Sequence, residues 1–269
     1  MVIIVSNFIF SMLKKYQINT FLYFVLFFNN IAYSGGAQSL SEAEQLFNTG
    51  AAYRYIVEEP NYTLACDYFE KSASKGFGPA FFNLAECYRE GVGREINNEL
   101  ALKNFQTAYE KGVTEARLSF LALKLYHVED KDACATILKE IEQFESEDEK
   151  YTYSTSFILG ESYLSGRCGV SNPSKGIRFL EKSSEHNNLM AQALLYLVNK
   201  EGLYGVSKSL KTSSFWKSNF DNNPERNDWT LPFAIAGLYE KGWGVKKNFE
   251  ISEKYKKEAG QQESTKDSK

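Results

Sequence analysis

Apolar positions recur at helical spacing through most of the chain. Between residues 80 and 112, Ala80, Leu84, Ala85 and Tyr88 fall at i, i+4, i+5 and i+8, one face of a helix. Gly91-Val92-Gly93 interrupts that face, because glycine takes the positive φ that ends a helix. Ala101, Leu102, Phe105, Ala108 and Tyr109 then resume it as far as Gly112. The pattern predicts a helical hairpin: alanines let its two helices approach closely, and Leu84, Tyr88 and Phe105 fill the space beside them. A lone hairpin cannot bury such a stripe, so it must stack on further copies of itself.

The copies are visible in the spacing. Tyr53, Tyr88, Tyr126 and Tyr163 stand 35, 38 and 37 residues apart, and Gly166, Gly202 and Gly242 continue at 36 and 40. Leu159, Gly160, Tyr163, Gly166, Gly169 and Val170 form one turn region, and Tyr239, Gly242, Gly244 and Val245 another. Second helices carry Ala65, Phe69, Ala73 and Gly76, or Ala101, Phe105, Ala108 and Gly112. These motifs resemble the Sel1-like repeat, a relative of the tetratricopeptide repeat. The resemblance implies an all-α fold, a right-handed α/α solenoid of about six helix-turn-helix repeats. No segment reads at the strand period of two.

The repeats are placed at about 39–76, 77–112, 114–150, 151–187, 189–220 and 229–260, with a disordered polar tail at 261–269. Ser41 with Glu44 reads as a capping box opening the first repeat. The third repeat departs from the pattern, since its turn, His127–Asp132, has no glycine and the acidic run Glu145–Glu149 follows its second helix. That run reads as a solvated helix end. The fifth repeat is also degenerate, with Asn199 where the anchor tyrosine belongs, though Trp216 keeps the family's tryptophan place. Asp221–Asp228 reads as a polar insertion.

The first 34 residues differ in composition. Lys14-Lys15 precede an apolar run, Ile18–Phe28, short of the roughly 20 residues that span a bilayer and suited to a secretory leader. Met12 is the more natural start, and cleavage is expected after Ser34 or Ala37. An exported chain, secreted or periplasmic, with no membrane span after cleavage, is therefore expected. Removing the leader takes two lysines and no acids, moving the formal charge from −3 to −5; no basic block points to nucleic acid. Four cysteines in an exported chain suggest disulfides. Their places in the repeats favour Cys66–Cys87 and Cys134–Cys168, stapling repeat one to two and three to four.

Candidate chemistry is thin. The two histidines, His127 and His186, lie in different repeats, and no metal, nucleophile or phosphate-loop motif is present. No cofactor, no metal and no catalysis are expected. The resemblance keeps one enzymatic alternative, a cell-wall-acting or penicillin-binding hydrolase of the cysteine-rich kind, without a residue to carry it. It favours a non-catalytic scaffold, a monomer binding a protein or peptide on the concave face lined by first helices, with an immunity or virulence-associated adaptor as a special case. The expected contact residues are Phe82, Asn83, Glu86, Arg89, Phe120, Lys124, Phe157 and Glu161. Phe47, Phe82, Phe120, Phe157 and Phe233 all stand six residues before an anchor tyrosine, a stripe that either lines the groove or packs between repeats.

Overall fold

The computed structural model describes residues 40–147, 151–226 and 229–266. Twelve α-helices and no strand occur among them, in six successive hairpins. These are α1 (Glu42–Tyr55) with α2 (Tyr62–Ser74), α3 (Gly78–Glu90) with α4 (Asn98–Glu110), and α5 (Glu115–His127) with α6 (Lys131–Glu147). Then come α7 (Thr152–Ser165) with α8 (Pro173–Glu185), α9 (Leu189–Glu201) with α10 (Leu210–Asp221), and α11 (Leu231–Lys241) with α12 (Phe249–Lys266). The chain divides into two compact units, one ending at Phe77 and the other beginning at Gly78. The expected leader and its cleavage points fall at residues outside those described. No described helix is long and apolar enough to cross a membrane.

In the first unit the expected capping box is present. Ser41 Oγ accepts from the Glu44 N–H, and the Glu44 carboxylate accepts from the Ser41 N–H at 2.8 Å. Such reciprocal caps satisfy donors that a helix start leaves unpaired. Phe69 is fully buried, with Phe47 5.7 Å away between ring centroids, and Tyr53 stacks on Tyr68 at 5.8 Å.

In the second unit the apolar core runs on from hairpin to hairpin. Ala85, Ala101, Phe105 and Ala116 join α3, α4 and α5. Leu125, Ile137, Ile141 and Leu159 join α5, α6 and α7, and Leu164, Leu194, Phe220 and Leu238 continue it to α11. Helices α7 and α8 approach closely. A Cβ on Gly176 would lie 2.8 Å from both the Gly160 carbonyl oxygen and the Leu164 nitrogen. Only glycine permits this spacing.

One backbone rule closes five of the six hairpins. The carbonyl at the anchor position accepts the N–H of the residue that caps the next helix. The pairs are Tyr53 with Asn61 (3.0 Å), Tyr88 with Asn97, Tyr163 with Asn172, Asn199 with Ser209 and Tyr239 with Asn248, the last four at 2.9 Å. Each capping side chain then accepts from the N–H three residues on, as Asn97 does from Leu100 at 3.0 Å. This explains why hairpin five forms without its tyrosine. The bond uses a carbonyl, which Asn199 supplies as well, while its amide is satisfied by Leu195 O at 2.8 Å. Hairpin three uses another device. Asp130 Oδ1 caps α6 by accepting from Ala133 N–H at 2.7 Å, so no glycine is needed.

One expectation changes in detail. Helix α12 runs on to Lys266, so the first six residues of the polar tail are helical, and residues 267–269 lie outside the described ones. Gln, Glu and Lys are good helix formers, and extending an existing helix is far easier than starting one. The polar insertion is held at one buried side chain. Asn223 is buried and donates to Gln192 Oε1 at 2.8 Å and to Asn187 O at 2.9 Å. Residues 227 and 228 of that insertion lie outside the described ones.

Candidate functional site

Helix α7 is buried from Thr155 to Leu164, and it carries one carboxylate, Glu161, with none of its surface exposed. A buried charge must be paired and hydrogen-bonded to be tolerated. Glu161 accepts from the Gly244 N–H at 2.8 Å, Tyr126 Oη at 3.0 Å and Ser162 Oγ at 3.1 Å, and Arg167 stands 3.5 Å away. These partners come from hairpins six, three and four.

The Gly242-Trp243-Gly244 turn is the centre of this arrangement. Arg167 reaches the Gly242 carbonyl at 3.5 Å, and Tyr204 Oη donates to the Gly244 carbonyl at 2.6 Å. Trp243 meets the Phe157 ring edge-on with centroids 5.7 Å apart. Gly244 has φ of 63°, and a Cβ there would lie 2.4 Å from Leu194 Cδ2. The Arg167 guanidinium lies 4.6 Å from the Tyr126 ring centroid. Burial first, then the Glu161 charge, push the Tyr126 hydroxyl well above the usual tyrosine range, with Arg167 opposing. Tyr204 is also raised, by burial first and then by Tyr239 and Glu161.

The expected contact residues therefore fall into two groups. Phe157, 7% exposed, and Glu161, 0% exposed, face the chain's own turn and present nothing to a partner. In hairpins two and three the same stretch of the first helix is more open. Arg89 is exposed and ion-paired with Glu86 and, at 3.0 Å, with Glu90. Asn83 donates to the Pro79 carbonyl at 3.0 Å. Lys124 is exposed, with its ammonium 5.6 Å from the Phe120 ring centroid. Phe82 is half-buried against Phe105 at 5.6 Å. Packing accounts for Phe47, Phe82, Phe120 and Phe157 of the stripe, whereas Phe233 is 46% exposed beside Trp229.

The roles of Arg167, Tyr126, Tyr204 and Trp243 were not foreseen from sequence. One signal was available: Glu161 is a lone charge inside FILGESYL, a segment otherwise without one.

The disulfide Cys134–Cys168 joins α6 to the turn after α7, with Cα atoms 5.1 Å apart. Cys66 and Cys87 are disulfide-bonded as well, and no described cysteine is free. Among the described residues no group of three or more His, Cys, Asp or Glu side chains could hold a metal ion. His127 pairs with Asn98 Nδ2 at 3.2 Å, and His186 caps the end of α8. Glu145, in the acidic run, is held by Ser156 and Lys182.

A family model for the Sel1 repeat matches residues 43–77, 79–113, 156–188 and 233–264, together half of the chain. Hairpins three and five, the degenerate ones, fall between these matches. No curated protein sequence matches the chain. Among solved structures, a Sel1 repeat protein from Oxalobacter formigenes is similar at 21% identity, over 81% of this chain and 85% of that one, with a TM-score of 0.54. A protective antigen of uropathogenic Escherichia coli strains that displays an SLR fold matches at 18% identity, over 81% of this chain and 53% of that one, with a TM-score of 0.49. An immunity protein from Pseudomonas aeruginosa matches at 14%, over 84% and 83%, with a TM-score of 0.44. At 21% identity the likeness to the Oxalobacter formigenes protein speaks for the fold alone. With its four matched repeats and its hairpin geometry, the chain belongs to the Sel1-repeat family.

Proposed function

We propose that this chain is an exported, non-catalytic scaffold that holds a protein or peptide partner on the first-helix face of hairpins two and three. Asn83, Glu86, Arg89 and Lys124 supply the polar contacts in this reading, over a floor of Phe82 and Phe120. The observation that carries it is the contrast along that face. Hairpin four gives Phe157 and Glu161 to the chain's own glycine turn, while hairpins two and three carry exposed charges of both signs at the corresponding helix ends. Mixed charges beside aromatic packing suit a partner chosen by specific polar contacts. An immunity or virulence-associated adaptor is the special case to test first. Pairing of Cys66 with Cys87 completes the proposal, as a staple suited to an oxidising compartment.

The test is co-purification of the tagged mature chain from its own cells, in three forms: unaltered, Arg89→Glu with Lys124→Glu, and Lys256→Glu on α12 as a control. A partner retained by the unaltered and control chains and lost from the double variant supports the proposal. Equal retention by all three places binding elsewhere, and turnover of a β-lactam or peptidoglycan fragment by the pure chain would replace the scaffold reading altogether.

A further inference from the structure

The turns that follow the first helices of hairpins four and five share an unusual geometry. Each runs Gly-x-x-Gly, one residue longer than Gly91-Val92-Gly93 or Gly242-Trp243-Gly244. Each also forces a non-glycine residue into the left-handed region, Cys168 at φ 61° and Tyr204 at φ 58°. That region is disfavoured for any residue with a Cβ, so it persists only where tertiary structure holds it. At Tyr204 the hold is the hydroxyl's bond to the Gly244 carbonyl. At Cys168 the disulfide to Cys134 adds to the turn's own bonds, Gly169 N–H to Gly166 O at 3.1 Å and Val170 N–H to Arg167 O at 3.2 Å.

Arg167 sits immediately before Cys168, and it links the two sides of the arrangement. Its contacts with Glu161 and with the Gly242 carbonyl are both long, at 3.5 Å, and its buried Nε makes no hydrogen bond. The guanidinium also lies 4.6 Å from the Tyr126 ring centroid, and keeping these contacts together depends on the backbone that carries it. That backbone is the turn that the disulfide ties to α6.

We infer that the Cys134–Cys168 disulfide latches hairpin six onto hairpin four through Arg167, so that opening the disulfide releases the Gly242-Trp243-Gly244 turn. A dithiol supplies the reductant: the S–S bond takes up two electrons and two protons to give two thiols, and the dithiol becomes a disulfide. Freed of the tie, Cys168 leaves the left-handed region, Arg167 moves with it, and Glu161 loses its cationic neighbour. The latch thereby makes the docking of hairpin six depend on redox state.

Amide hydrogen exchange of the full mature chain tests this, read in peptides covering residues 240–248 and, as a remote control, 100–110. Oxidised chain is compared with Cys134→Ser/Cys168→Ser, with Cys134→Ser/Cys168→Gly and with oxidised Arg167→Ala. The serine pair should speed exchange at 240–248 by about tenfold, the order expected when one left-handed residue is relieved, and leave 100–110 unchanged. Glycine at 168 takes positive φ without strain, so the glycine variant should restore protection although it has no disulfide either. Arg167→Ala should release the turn with the disulfide intact. Unchanged exchange at 240–248 in the serine pair, or equal release in the serine and glycine variants, overturns the inference. Should the serine pair fail to fold, unchanged exchange at 240–248 in Arg167→Ala overturns it equally, and release there supports it.

Discussion

The packing of α7 on α8 predicts opposite signs for the same substitution at two helical glycines. At Gly176 an added methyl would lie 2.8 Å from the Gly160 oxygen and the Leu164 nitrogen, and 3.1 Å from Leu164 Cβ. The first two are backbone atoms, so no side chain can rotate away and the helices themselves must part. Overpacking of this sort costs about 1–3 kcal/mol, and backbone against backbone belongs at the upper end. Replacing a helical glycine by alanine recovers up to about 1 kcal/mol, and Gly176 lies in the first turn of α8. The net loss for Gly176→Ala is therefore about 2 kcal/mol, or about 4–8 °C in Tm for a chain of this size. At Gly237 in α11 the new methyl would meet only the mobile end of Met190, at 3.5 Å, an ordinary contact. Gly237→Ala should accordingly stabilise by about 0.5–1 kcal/mol. Thermal melts followed by circular dichroism on both variants make the comparison. A Tm that rises for Gly176→Ala as it does for Gly237→Ala would refute the close approach of α7 and α8.

Other perturbations follow from named contacts. Asn97→Ala removes the cap on the Leu100 N–H and should cost about 0.5–2 kcal/mol, read as a shift in denaturation midpoint. Phe82→Ala should lower Tm by withdrawing a ring from Phe105, about 2 kcal/mol for a half-buried site, whereas Arg89→Ala should leave Tm unchanged and weaken only partner binding. Tyr126 is held neutral in the folded chain, so its stabilising share is complete below about pH 10, its unfolded range, and is lost as pH rises through the higher folded value. Ultraviolet difference titration of Tyr126→Phe against the unaltered chain should accordingly remove a late-ionising tyrosine; loss of an ordinary one counts against the buried Glu161 site.

Periodicity and spacing in the chain determined that it folds as helical hairpins, how many there are, and where most turns lie. Those features are local. A helix face is set by residues three and four apart, and a turn by glycines such as Gly91 and Gly93 that alone take positive φ cheaply. Hairpin five forms without its tyrosine because the bond that closes it needs a backbone carbonyl, which Asn199 offers as readily as a tyrosine. Tertiary structure alone decided which first-helix residues remain available. Phe82 and Phe157 occupy equivalent positions in their repeats, yet Phe82 packs within its own hairpin and Phe157 against a turn 86 residues further on. Glu161 likewise gains its role from Gly244, 83 residues away. Contacts at that separation depend on how successive hairpins stack, and the angle between hairpins sums small packing differences along the array. No local pattern in the chain carries that sum, so the buried carboxylate and its turn emerge only when the hairpins are stacked.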